Sequence, residues 1–220
     1  MFAIAGGKGG SGKTTTAVGV ARALARQGRD PILVDCDTDM PDLHHLLGIE
    51  APGGIDDLAS GTALERAWQF STAAPGVRCL TAGDRSNVDT ALARLADWHD
   101  PVILDCPPGV GPDAVRPLRH ASRAVVVSTD QPASLADADT TARTARELGT
   151  DVVGTVLRET DSPAEPAPHA DRRVLVTVRS VDSPLEDPQI RQAWTRVAGH
   201  LTSGPPRRGR SRRGGISSDP

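Results

Sequence analysis

Lysine is almost absent from this 220-residue chain. Lys8 and Lys13 are its two copies, and arginine carries the positive charge everywhere else. Tyrosine is missing, and aromatic residues make up 2% of the sequence. No aromatics interleave with the basic residues, so a surface that stacks nucleic-acid bases is not supported. Cys36, Cys79 and Cys106 show no C-x-x-C spacing, which indicates neither a zinc site nor a disulfide framework. Each lies in or just after an apolar run and reads as a small buried hydrophobe. No apolar run approaches the ~20 residues of a membrane span, and no leader-like segment precedes the first strand, so the expectation is a cytoplasmic protein without a transmembrane segment.

Both lysines fall in one glycine-rich stretch, Gly7-Lys8-Gly9-Gly10-Ser11-Gly12-Lys13-Thr14. It satisfies G-x-x-x-x-G-K-[ST], the phosphate-binding loop. Its glycines let the backbone turn tightly, so that successive N–H groups point at phosphate oxygens. Lys13 reaches the β- and γ-phosphates in such a loop, and the Thr14 hydroxyl ligates Mg²⁺. The flanks agree: Phe2–Ala5 reads as a buried strand, and 15–27 as a helix whose N-terminus faces the anion.

Apolar runs then alternate with helical patterns, which predicts an α/β fold: a doubly wound, mostly parallel sheet in three layers. Strands are expected at 31–34, 77–81, 101–104, 124–128, 152–157 and 174–178. Helices are expected at 42–47, 55–60, 89–98, 113–120, 134–148 and 188–201. The stretch 159–173, rich in Pro, Ala, Asp and Glu, reads as an exposed loop. The expected organisation is a nucleotide-binding domain over 1–203 followed by a disordered Arg/Gly/Pro-rich tail over 204–220. That tail holds five arginines against Asp219 alone, a balance of +4, which leaves −7 on the rest of a chain whose net charge is −3.

Three acids stand at strand ends, where open parallel sheets bind ligands. Asp105 closes the run Pro101–Leu104 and is expected to hold Mg²⁺ through a water molecule. Asp35 and Asp37 close the second strand as D-x-D, with both side chains expected on one face of an extended chain. Two carboxylates beside a triphosphate would repel it, so a role in placing Mg²⁺ or the attacking water is the economical reading.

Four ordered motifs now carry a resemblance. Lys8-Gly9-Gly10-Ser11-Gly12-Lys13-Thr14-Thr15 is similar to the deviant phosphate loop of the MinD/ParA superfamily, with its extra signature lysine. Val34-Asp35-Cys36-Asp37 resembles that family's first switch, Asp105-Cys106-Pro107-Pro108-Gly109 its second, and Ser134-Leu135-Ala136-Asp137-Ala138 a motif of MinD-like members. The resemblance implies a P-loop ATPase with ATP and Mg²⁺ as ligands. It implies that Lys8 crosses a dimer interface to the partner's phosphates and that Lys13 and Thr14 bind phosphate and Mg²⁺. Thr15 lies near the α-phosphate, Asp37 orients the attacking water, and Asp35 supports the metal site with Asp105. Arg158 stands where family members often place an asparagine that reads the adenine edge, and the second adenine-side motif aligns poorly over 178–187.

These resemblances imply an ATP-dependent homodimer that positions cellular cargo, with a regulatory protein partner. Its Arg tail is expected to contact DNA or anionic membrane without sequence specificity, at the membrane or nucleoid periphery. A metallochaperone or cofactor-maturation ATPase and a ligase of the dethiobiotin or cobyrinate type remain open as alternatives.

Overall fold

Every second residue of the first strand faces a different core. In β1 (Phe2–Ala5), Ile4 joins one apolar cluster, while Ala3 and Ala5 join another on the opposite face. The same alternation splits Leu33 from Ile32 and Val34 in β2 (Ile32–Asp35), and Ile103 from Val102 and Leu104 in β5 (Val102–Asp105). A strand buried on both faces needs this near-continuous apolar run. Truncating one of these fully buried Leu or Ile side chains to Ala would cost about 2–5 kcal/mol.

The computed structural model describes residues 1–49, 54–158 and 173–203. The remaining strands are β3 (Gln69–Phe70), β4 (Arg78–Leu80), β6 (Arg123–Thr129), β7 (Asp151–Arg158) and β8 (Val174–Val178). The sheet order is β3-β4-β2-β5-β1-β6-β7-β8, parallel throughout except for β3 against β4. The helices are α1 (Lys13–Arg26), α2 (Leu43–Leu47), α3 (Gly54–Ala59), α4 (Leu64–Ala67), α5 (Val88–Arg94), α6 (Pro112–His120), α7 (Pro132–Glu147) and α8 (Pro188–Thr202). Helices α1 and α8 pack on one face; α3, α5 and α6 cover the other. Close packing of α1 on α8 requires Gly19, where a Cβ would stand 2.3 Å from the Trp194 ring. The N-terminus of α8 is capped by Asp187, whose carboxylate accepts from the N–H groups of Gln189 and Ile190 at 2.8 and 3.0 Å.

The three-layer, mostly parallel sheet expected from the sequence is the fold found. Three local expectations change. The helix expected over 89–98 is α5, which begins at Val88 directly after a 3-10 turn, Arg85–Asn87, and ends early, at Arg94. Asp84 caps that turn by accepting from Ser86 N–H at 2.8 Å, and beyond the helix Trp98 is held by its own bond to the Asp30 carbonyl at 3.3 Å. Helix α4 and the antiparallel edge strand β3, four and two residues long, were not expected; elements this short give no readable period. The loop expected at 159–173, except Arg173, and the tail at 204–220 lie outside the described residues.

Candidate functional site

Connections from β1 and β5 leave in opposite directions. Helix α1 carries the chain from β1 to β2 on one face of the sheet, whereas α6 carries it from β5 to β6 on the other. Such a divergence opens a crevice at the carboxyl ends of the strands. The glycine-rich loop and the segment after Asp105 meet there, with Gly109 N–H donating to the Gly6 carbonyl at 3.1 Å.

Backbone geometry shapes the loop. Gly10 and Gly12 have φ of +75° and +92°, a region that disfavours side chains, and Gly12 is the residue from which α1 starts. Gly7 serves packing instead: its Cβ would fall 2.2 Å from that of Asp137 on α7. The two lysines then diverge. Lys13 is buried, donates from Nζ to the Lys8 carbonyl at 3.2 Å, and makes no ion pair among the described residues. Burial lowers its pKa, while the nearby Asp105 and Asp37 oppose that shift. A buried ammonium bonded to one carbonyl has N–H donors left over for an anion. The Ser11 hydroxyl, also buried, lacks a hydrogen-bond partner among the described residues. Lys8 is exposed.

The acids divide as well. Asp35 is 1% exposed; its Oδ1 accepts from Asp37 N–H at 3.1 Å, and its Oδ2 from Leu43 N–H at 3.3 Å. Burial raises its pKa to about 7, against the two backbone bonds that lower it. The extended D-x-D expected from the sequence is therefore replaced: the strand ends at Asp35, and the side chain of Asp35 turns the backbone at Asp37. Asp37 is half-buried at the cleft, where its Oδ1 accepts from Met40 N–H at 3.1 Å and burial raises its pKa. Asp105 is 2% exposed, with the Thr14 side chain near enough to favour its charged form, and its Oδ1 has no hydrogen-bond partner among the described residues. Burial first, then Asp35 beside it, pushes its pKa well up.

Lys13, Thr14, Asp37 and Arg158 thus line one cleft of about 310 Å³, with Gly9, Gly10, Gly12 and Thr15 at its floor and rim. The Asp105 oxygen beside Thr14, without a partner among the described residues, suits a cation, while the buried Ser11 hydroxyl lines a separate small cavity. A larger cavity, about 840 Å³, lies at the amino end of β7 beside Arg143 and Arg146 of α7 and shares no residue with the cleft, so size does not identify the site. Sequence reading missed one feature near the cleft. Arg85 bridges Asp39, in the loop after β2, and Asp113, at the start of α6, at 2.6 and 3.4 Å. No local pattern announces partners so distant in sequence.

Residues 2–176 match the family described as the CobQ/CobB/MinD/ParA nucleotide binding domain. An uncharacterized ATP-binding protein of Methanocaldococcus jannaschii is 27% identical over 202 residues, covering 87% of this chain and 76% of the relative. The septum site-determining protein MinD of Synechocystis is 31% identical over 150 residues, 63% of this chain and 56% of that protein. The chain thus spans little more than half the length of that MinD relative. Among solved structures, MinD of Pyrococcus horikoshii complexed with Mg-ADP superposes with a TM-score of 0.78 at 23% identity, covering 92% of this chain and 95% of that one.

Proposed function

The chain belongs to the CobQ/CobB/MinD/ParA nucleotide-binding family, and from that premise we propose that it is a Mg²⁺-dependent ATPase that closes as a homodimer on ATP, binds a cellular surface or cargo, and releases it on hydrolysis. The contrast between the two lysines of one loop carries this reading. Lys13 is buried and lines the cleft, whereas Lys8, next in the chain to the cleft-lining Gly9, is exposed and free to meet a second copy. Exposed apolar side chains lie in the same neighbourhood: Met40, which lines the cleft, and Val110, two residues beyond the cleft-lining Pro108.

In this reading the loop N–H groups and Lys13 hold the phosphates, with Thr15 toward the α-phosphate. Thr14 and Asp105 would hold Mg²⁺, which when bound neutralises charge on the phosphate oxygens. Asp35 holds the loop over 36–43 so that Asp37 stands at the cleft, and Asp37 orients the attacking water. Lys8 of a second copy offsets charge developing on the β–γ bridging oxygen, which makes hydrolysis depend on dimerisation. The role is spatial positioning or partitioning, with a regulatory protein partner. The tail arginines at 207, 208, 210, 212 and 213 supply weak contact with DNA or anionic membrane.

ATP turnover per subunit, measured against protein concentration, tests the proposal. A rate per subunit that rises and saturates as the protein is concentrated is expected. Duplex DNA or anionic vesicles, added separately, should raise it further for whichever is the surface. A rate per subunit that stays flat while the protein sediments as a monomer would overturn the dimerising switch.

A further inference from the structure

Two segments beyond the glycine-rich loop bound the cleft. One is the loop after β2, through Asp37, Met40 and Asp42; the other is the stretch after β5, through Pro108. Backbone bonds to the Asp35 carboxylate fix the first at Asp37 and Leu43. Between those points, residues 38–41 have no hydrogen bond or ion pair to another segment among the described residues, except through Asp39. Apolar packing does not replace such bonds, since Met40 is 71% exposed.

Asp39 meets Arg85, whose Nη2 donates to its Oδ1 at 2.6 Å, while Nη1 stands 3.4 Å from Asp113 of α6. Arg85 has a fixed base. One oxygen of Asp56, on α3, accepts from Asp84 N–H and from the Asn87 amide, both at 2.8 Å, and so anchors the 3-10 turn that carries Arg85. Nor is the bridge a lone surface pair. Asp113 also pairs with Arg116 at 3.5 Å, and Arg116 with Asp89 at 2.9 Å. Exposed ion pairs count for little singly and for more when several charges form a network.

We propose that Arg85 is a positioning residue of the site: it ties the loop after β2 to α6 and so keeps Asp37 at the cleft. The role rests on the reading of Asp37 as the acid that orients the attacking water. Met40 N–H donates to Asp37 Oδ1 at 3.1 Å, which closes a turn with Asp39 inside it. Releasing Asp39 therefore loosens the turn that holds the carboxylate, and a small misplacement of such a group slows the chemistry more than it weakens the fold.

Steady-state ATP turnover of the full chain with Mg²⁺, at protein concentrations where the rate per subunit has saturated, tests it. Arg85→Ala should lower kcat about fivefold and leave KM within about twofold of the parent's. Asp39→Ala releases the same tether from its other end and should give the same loss, and Arg85→Ala/Asp39→Ala no more than either. Arg85→Lys keeps a charge opposite Asp39 and should recover most of the parent rate. Added salt should narrow the gap between the parent and Arg85→Ala, because it screens a tether that only the parent has. A parental kcat in Arg85→Ala, losses that multiply in the double variant, or a raised KM alone would overturn the role. A parent that turns over no ATP would overturn the ATPase reading instead, and hydrogen exchange in the nucleotide-free protein then tests the tether by itself. Met40 N–H should exchange about fivefold faster in Arg85→Ala, and equal exchange would overturn it.

Discussion

Two neighbouring strand ends look alike and do different work. Asp35 and Asp105 close β2 and β5, are paired in register, and are 1% and 2% exposed. Burial raises the pKa of both. Their oxygens nevertheless have different partners. Both oxygens of Asp35 accept from backbone N–H groups of its own loop, whereas among the described residues one oxygen of Asp105, beside Thr14, has no partner. A buried carboxylate therefore does not by itself mark chemistry. What distinguishes a ligand-facing acid from a loop-holding one is whether the protein already satisfies its lone pairs.

The comparison presumes a phosphate opposite both ends, and the largest expected effect removes it. Lys13→Ala should weaken Mg-ATP binding by at least ~100-fold, because charged hydrogen bonds to buried oxygens contribute about 1.5–3 kcal/mol each. Titration calorimetry checks this, and near-parental affinity would dissolve the comparison. Exchanging the acids comes next. Asp35→Ala leaves the N–H groups of Asp37 and Leu43 without their acceptor and should lower unfolding stability by about 1–3 kcal/mol in urea. Asp105→Asn replaces a buried carboxyl, whose pKa is pushed well up and whose Oδ1 has no partner among the described residues, by a neutral amide, so it should keep or raise the stability of the nucleotide-free protein while losing the Mg²⁺ dependence of nucleotide binding. Equal destabilisation by both substitutions would mean that the two ends are equivalent after all.

A smaller effect sharpens the same contrast through pH. The folded pKa of Asp35, about 7, lies above the ordinary carboxylate value near 3.8. Between about pH 4 and 7 the folded nucleotide-free state therefore keeps a proton that the unfolded chain has lost, and stability falls as pH rises through that window. Asp105 contributes in the same direction. Asp35→Asn should flatten the fall, as read from urea midpoints across pH 4–8; an unchanged slope would place the titration elsewhere. The smallest effect concerns the tie between the segments. Arg85, half-exposed, joins Asp39 to Asp113, so Arg85→Ala should lower the urea midpoint only slightly, and less in high salt.

Much of this was legible in the sequence because the pieces are local. The loop glycines, Lys13 and Thr14 lie within eight consecutive residues, and Asp105 ends an apolar run long enough to reveal its strand. Sheet class followed from the alternation of apolar runs with helical periods. What stayed hidden depends on contacts between distant segments or on side chains that redirect the backbone. Asp35 and Asp37 share a D-x-D pattern that suits a straight strand, and only the bonds from Asp37 and Leu43 N–H to the Asp35 carboxylate show the turn. Arg85 has no neighbour in sequence to suggest its partners. Strand β3 pairs through two residues and has no period to read.

The central claim is that Lys8, exposed and next in the chain to the cleft-lining Gly9, completes the site of a second copy. Sedimentation velocity with Mg-ATP tests it most directly in an Asp37→Ala background, where loss of water positioning should slow hydrolysis and preserve the ATP-bound state. The account predicts a dimer for Asp37→Ala and a monomer for Lys8→Ala/Asp37→Ala, with both binding ATP. Identical sedimentation of the two ATP-bound proteins would contradict it.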